Sequence, residues 1–110
     1  MTTYRKAWTM RLRKGAELDY DAAHAAVWPE LLSQMRTSGI RRFFLFRSGQ
    51  TIFAFQERDH PFPAVDTAPS DTTARWWARM AELMETDPSG RPIHYPLNEV
   101  FALTETETDI

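Results

Sequence analysis

The stretch RRFFLFRSGQTIFAFQE, residues 41–57, constrains the fold more than any other part of the chain. Two runs of aromatic and β-branched residues flank Ser48-Gly49-Gln50. Such residues suit a pleated surface, and a Gly-containing break between them marks a tight reversal, so the stretch predicts two antiparallel strands joined by a short hairpin turn. Upstream, in RKAWTMRL, Trp8, Met10 and Leu12 alternate with Ala7, Thr9 and Arg11, the period that puts apolar groups on one face of a first strand. From about Leu18 to Met35 the residues Tyr20, Val27, Leu31 and Met35 recur at helical spacing, predicting a first helix. Pro29 sits inside that pattern. It lacks a backbone donor and clashes with the preceding turn, so a kink, or a break and restart, is expected near Val27 and Trp28.

Ser38-Gly39 is a stop signal for that helix. After the hairpin, RDHPFPAVDTAPSD holds Pro61, Pro63 and Pro69 and reads as an irregular connection. Ser70 or Asp71 can cap a second helix running through TTARWWARMAELME, residues 72–85. TDPSGRPIHYP is another turn-rich connection, LNEVFAL (97–103) is a short final strand, and TETETDI is a polar, acidic end expected to fray. The order β-α-β-β-α-β predicts an α+β, ferredoxin-like antiparallel sheet with two helices on one face. With 110 residues, 43% of them hydrophobic, the chain has material for one core, expected as a single domain over 1–104 with a frayed tail at 105–110. The strands carry large apolar residues on both faces. A homodimer closed sheet to sheet is the economical way to cover the second face.

The net charge is −2 and the 13 Lys and Arg are dispersed, so the electrostatic footprint of a nucleic-acid binder is missing and no nucleic-acid partner is expected. With no cysteine there is no thiolate nucleophile, disulfide framework or Cys-based metal site. The N-terminal MTTYRKAWTM has no long apolar run and no segment approaches the length of a membrane span, so no membrane association and a cytoplasmic address are expected. GxGxxG, Walker-type, GxSxG and CxxC patterns are absent, and His60 and His94 sit in loops without ligand-spaced partners. Neither a metal nor a cofactor is predicted.

In DYDAAHAAVWPE, residues 19–30, Tyr20, His24 and Trp28 follow at intervals of four and share one slowly turning helical ridge. His24 falls near the middle of the apolar stripe, where desolvation would keep it neutral and able to exchange a proton near physiological pH. On spacing alone, ordinary packing of a buried histidine against a carbonyl is the favoured account. In RWWARM, adjacent residues on a helix diverge by about 100°, so Trp76 and Trp77 cannot both reach the middle of the core. The pair is either a broad core stripe or a platform whose indole faces and N–H groups suit a carbohydrate. Glu99, in EVF, could reach a strand end and orient His24, although a solvated edge glutamate explains it more simply.

The ordered set RKAWTM, Tyr20 with His24 and Trp28-Pro29-Glu30, SGI, IFAFQE, RWWARM, LMETDPSG and LNEVFAL resembles the L-rhamnose mutarotase family, over about residues 5–103. The resemblance implies a dimeric ferredoxin-like α/β barrel and cofactor-free interconversion of the α and β anomers of a 6-deoxy-L-hexose, L-rhamnose first and L-fucose as an alternative. It implies that His24 matches the proton donor, Tyr20 a sugar-binding residue, and Trp76 with Trp77 the paired sugar contacts. His24 would protonate the ring oxygen while Tyr20 or a water handles the anomeric hydroxyl. Phe43 stands where the family places a sugar-binding tyrosine. One lost neutral hydrogen bond is worth about 0.5–1.5 kcal/mol, enough to retune sugar preference without abolishing binding. Two other readings fit the same fold: a dimeric α/β-barrel monooxygenase or haem-handling protein, and a sugar-binding module in which His24 is only structural.

Overall fold

Trp8 and Met10 point from strand β1 (Tyr4–Arg11) to the same side as Leu12 just beyond it, and all three are buried, as their alternation predicts. The structure, a computed structural model, describes residues 2–64 and 67–104. The acidic end at 105–110 lies outside the described residues. β1 is followed by helices α1 (Glu17–His24) and α2 (Pro29–Thr37), strands β2 (Ile40–Ser48) and β3 (Thr51–Arg58), helix α3 (Asp71–Met80) and strand β4 (Tyr95–Leu97). The strands form one antiparallel sheet in the order β2-β3-β1-β4, the ferredoxin-like arrangement.

The break at Pro29 is complete. α1 ends at His24, and Pro29 opens α2 at its first position, where a missing N–H costs nothing. Register then decides the two faces of the sheet. Leu45 and Trp8 both stand opposite Ala54, and Met10 stands opposite Ile52, so these side chains share one face. That face packs against Tyr20, Ala23, Leu31, Trp76 and Met80 from the helices, with Phe43 and Leu45 partly buried beside them. On the other face Phe44, Phe46, Phe53, Tyr95 and Leu97 are all exposed.

Two boundaries differ from expectation. The second helix was expected over 72–85, but α3 stops at Met80, with Ser70 as the cap accepting from the Thr73 N–H at 3.2 Å. The chain beyond it extends β1: the Arg13 N–H donates to the Leu83 carbonyl at 2.8 Å, and the Glu85 N–H to the Arg11 carbonyl at 2.9 Å. This pairing buries Leu83 and Met84, and the helix ends to permit it. The final strand was expected over 97–103 but is Tyr95–Leu97, paired only with β1. As an edge strand it tolerates Pro96, whose missing donor would break a central ladder. Residues 98–104 leave the sheet, with Val100, Phe101 and Leu103 exposed. Among the described residues no helix is long and apolar enough to cross a membrane.

Gly39 makes the α2–β2 turn possible. It adopts φ +104, and a Cβ there would lie 2.7 Å from both Asp59 Oδ1 and His60 Nδ1. Gly39→Ala should therefore destabilise the protein by about 1–3 kcal/mol, read as a lower urea midpoint at unchanged slope.

Candidate active site

Helix α1 stacks Tyr20 and His24 one turn apart, with ring centroids 4.1 Å from each other. His24 Nδ1 lies 2.9 Å from the Tyr20 carbonyl oxygen. A carbonyl can only accept, so Nδ1 carries the proton, and in the neutral ring Nε2 holds a free lone pair. Burial lowers the His24 pKa below the ordinary histidine value, against the opposing influence of the Tyr20 carbonyl and of Asp21. The resting group at neutral pH is thus an unprotonated imidazole with its acceptor nitrogen fixed. Tyr20 is the opposite case. Burial, helped by the Asp21 charge, raises its phenol far above the usual range, so it is a lasting hydrogen-bond donor and a very poor base.

A cavity of about 330 Å³ opens between α1 and β2, lined by Tyr20, Asp21, His24, Leu45, Phe46 and Arg47 together with Ala25. Its size falls in the range of small-molecule sites. Arg47 grips Asp21 through two parallel hydrogen bonds, Nε to Oδ1 at 2.8 Å and Nη2 to Oδ2 at 2.6 Å. Those bonds hold the Asp21 carboxyl below its ordinary pKa and tie the helix to the strand beside His24.

Trp76 closes the wall behind the histidine. It is buried, and its ring meets His24 edge-on at 5.4 Å and Trp28 edge-on at 5.1 Å. Trp28, at the break before Pro29, thereby anchors the bend instead of lining the cavity. Trp77 points to the flank, half-buried, with the Arg91 guanidinium 5.1 Å from its ring centre. Phe43 lies on the helix-facing side of β2, 6.0 Å from Trp8. The structure therefore brings Tyr20, His24 and Trp76 together; Tyr20 and His24 line the cavity, while Trp76, Trp77 and Phe43 lie outside its lining. Glu99 does not orient His24: it accepts from Arg5 Nε at 2.6 Å. Among the described residues no group of three His, Asp or Glu side chains could hold a metal ion.

Residues 5–103 match the family model described as L-rhamnose mutarotase. The chain belongs to the L-rhamnose mutarotase family. It is 38% identical to an L-rhamnose mutarotase of Burkholderia orbicola over 99 residues, covering 88% of this chain and 95% of that protein. A relative of the same name in Bacteroides thetaiotaomicron is 34% identical over an equal span. A crystal structure of an L-rhamnose mutarotase from Formosa agariphila superposes with a TM-score of 0.78 at 32% identity, covering 92% of this chain and 99% of that one. Members of this mutarotase family are isomerases acting on carbohydrates, which sets the monooxygenase reading of the fold aside. Asp21, Leu45 and Arg47 escaped the sequence reading of this family member. Leu45 and Arg47 were findable, because both alternate in phase with Phe43 along β2. The Asp21–Arg47 pair joins residues 26 apart in sequence and left no local signal.

Proposed function

We propose that this protein is an L-rhamnose mutarotase, interconverting the α and β anomers of a 6-deoxy-L-hexose through proton transfers at His24 and without a metal or cofactor. The observation that carries this reading is the bond from His24 Nδ1 to the Tyr20 carbonyl, which leaves Nε2 as the acceptor on a residue lining the cavity. In the forward step Nε2 takes the proton of the anomeric hydroxyl, and the O–H electron pair becomes the C1 carbonyl. The bond from C1 to the ring oxygen breaks, its electron pair stays on that oxygen, and the imidazolium returns a proton there. Rotation about C1–C2 presents the other carbonyl face, and the same steps in reverse close the ring. One imidazole can serve both oxygens because both are attached to C1. Tyr20, held as a phenol, donates a hydrogen bond to the developing charge and does not act as the base. His24 thus meets the anomeric hydroxyl first and the ring oxygen second. The buried Trp76 keeps water from the back of the imidazole, which preserves its neutral state.

The active form is a cytoplasmic homodimer, one mutarotase domain over 1–104 in each subunit. The support is the sheet face away from the helices, where Phe46 is 66% and Phe53 43% exposed beside Phe44, Tyr95 and Leu97. A patch of that composition is unusual on a monomer. Sedimentation should show two chains per particle, and Phe46→Arg with Phe53→Arg should reduce it to one; a monomeric unmodified protein would contradict the dimer.

The sugar assignment is tested by saturation-transfer NMR on a panel of L-rhamnose, L-fucose and D-glucose. Faster anomer exchange for the two 6-deoxy-L-hexoses than for glucose supports it. Buffer-level exchange for all three overturns it.

A further inference from the structure

Trp8 and His94 take no part in the chemistry assigned to His24, yet among the described residues the Trp8 indole N–H has no partner. Trp8 is 7% exposed, and its indole N–H is fully buried with no acceptor among the described residues. Leaving a buried donor unmade costs about 1–3 kcal/mol, so such an atom in a folded protein calls for a physical reason. His94, on the loop entering β4, stacks on that indole with centroids 4.8 Å apart and planes 19° from parallel, and it remains accessible to solvent. Among the described residues neither of its ring nitrogens has a hydrogen-bond partner. Phe43 adds a third ring at 6.0 Å from Trp8 and contributes no hydroxyl.

Register connects this cluster to the cavity. Trp8 stands opposite Ala54, which on its other side stands opposite Leu45, a cavity-lining residue, and all three share the helix-facing side of the sheet. Two strand spacings of about 4.8 Å each separate Leu45 from Trp8. That separation matches a pyranose ring with a hydrogen bond of about 2.8 Å at its edge, and because Ala54 and Trp8 are 3% and 7% exposed, a sugar reaches the indole by displacing the packing over Ala54.

We propose that Trp8 and His94 form the far wall of the sugar site and set specificity by hydrogen bonding to hydroxyls remote from the anomeric carbon. This rests on the mutarotase reading of the His24 cavity. An indole face against sugar C–H groups, with its N–H directed at a hydroxyl, is a common way for tryptophan to use both its apolar body and its polar handle. Partial desolvation on the side of the stacked indole, together with the charges of Lys6 and Arg91, lowers the His94 pKa and so favours the neutral ring. A neutral imidazole offers one donor and one acceptor, matching a sugar hydroxyl that does both. Phe43 contributes no hydroxyl on this side, where the buried Gln56 stands opposite it in the ladder.

The test measures anomer exchange of L-rhamnose and L-fucose by saturation-transfer NMR in four proteins: unmodified, His94→Ala, Trp8→Phe, and His94→Ala combined with Phe43→Tyr. Loss of one neutral hydrogen bond predicts a fall in kcat/KM of about 3- to 10-fold for His94→Ala and for Trp8→Phe, expressed mainly as a higher KM. The two sugars should lose unequally, because their ring hydroxyls differ in configuration. Phe43→Tyr should recover part of the His94→Ala loss by placing a hydroxyl in the same gap, which a merely structural role for His94 would not allow. Trp8→Phe keeps a six-membered ring in the stack while removing the N–H and the rest of the five-membered ring, so, with its thermal midpoint measured alongside, it decides the matter if His94→Ala does not fold. Unmodified protein that accelerates exchange, with both single variants equal to it for both sugars, overturns this inference alone. Unmodified protein that accelerates neither sugar overturns the mutarotase reading beneath it.

Discussion

Replacing His24 with alanine lowers kcat/KM for anomer exchange by about 10²- to 10⁴-fold, the usual worth of one positioned acid–base group. The size follows from the arrangement around the ring. The Tyr20 carbonyl fixes the Nδ1 tautomer, and the Trp76 ring edge-on and the tilted Tyr20 ring hold the imidazole in place for its two proton transfers. Arg47 holds Asp21 as an ionised, doubly hydrogen-bonded carboxylate, which makes it a weak base. The variant should keep its circular-dichroism spectrum, because His24 is the last residue of α1 and its loss leaves the ladder intact. The unmodified protein should show the matching pH dependence. Its kcat/KM is level near neutrality and falls in acid as Nε2 is protonated, with the midpoint below the ordinary histidine pKa because burial disfavours the cation. A midpoint above that value would contradict a desolvated base.

The second large effect is structural. Trp76→Ala removes a buried ring that meets both His24 and Trp28 edge-on, and cavities of that kind cost about 3–5 kcal/mol. A substantial part of the stability of a domain this size is lost, visible as a large drop in the thermal midpoint. Below that midpoint, solvent entering behind the imidazole removes its desolvation, and the His24 pKa returns towards the free-histidine value in an NMR titration. An unchanged His24 titration would show that Trp76 does not shield it.

Both expectations depend on contacts that the sequence announced unevenly. The strands β1, β2 and β3 were legible because each alternates apolar and polar or aromatic positions strongly, and the hairpin between β2 and β3 carries its own turn signal at Ser48 and Gly49. The break after α1 was legible because Pro29 admits few alternatives inside a helical pattern. The end of α3 was not: Leu83 and Met84 continue the helical spacing, and only their pairing with the end of β1 turns them away from it. The same holds for β4, where LNEVFAL looks more like a strand than YPL does, yet the edge position alongside Ala7, Trp8 and Thr9 goes to the latter.

At the site, the closeness of Tyr20 and His24 follows from their spacing along one helix. The tautomer of His24 could not be read before the carbonyl beside Nδ1 was located. Nor could the stack of His94 on Trp8, which joins the first strand to the loop before the last one. Resemblance to a family supplied the expected roles of Trp76 and Trp77. Geometry separates them: one indole is buried against His24, while the other lies on the flank with Arg91 over its ring.

The central claim, that this chain catalyses anomer exchange, is met most directly by saturating the H1 resonance of α-L-rhamnose and following transfer to the β anomer as unmodified protein is added at neutral pH. Catalysis by this chain makes the exchange rate rise in proportion to protein concentration above the spontaneous rate. A rate that stays at the spontaneous value at every protein concentration would contradict it.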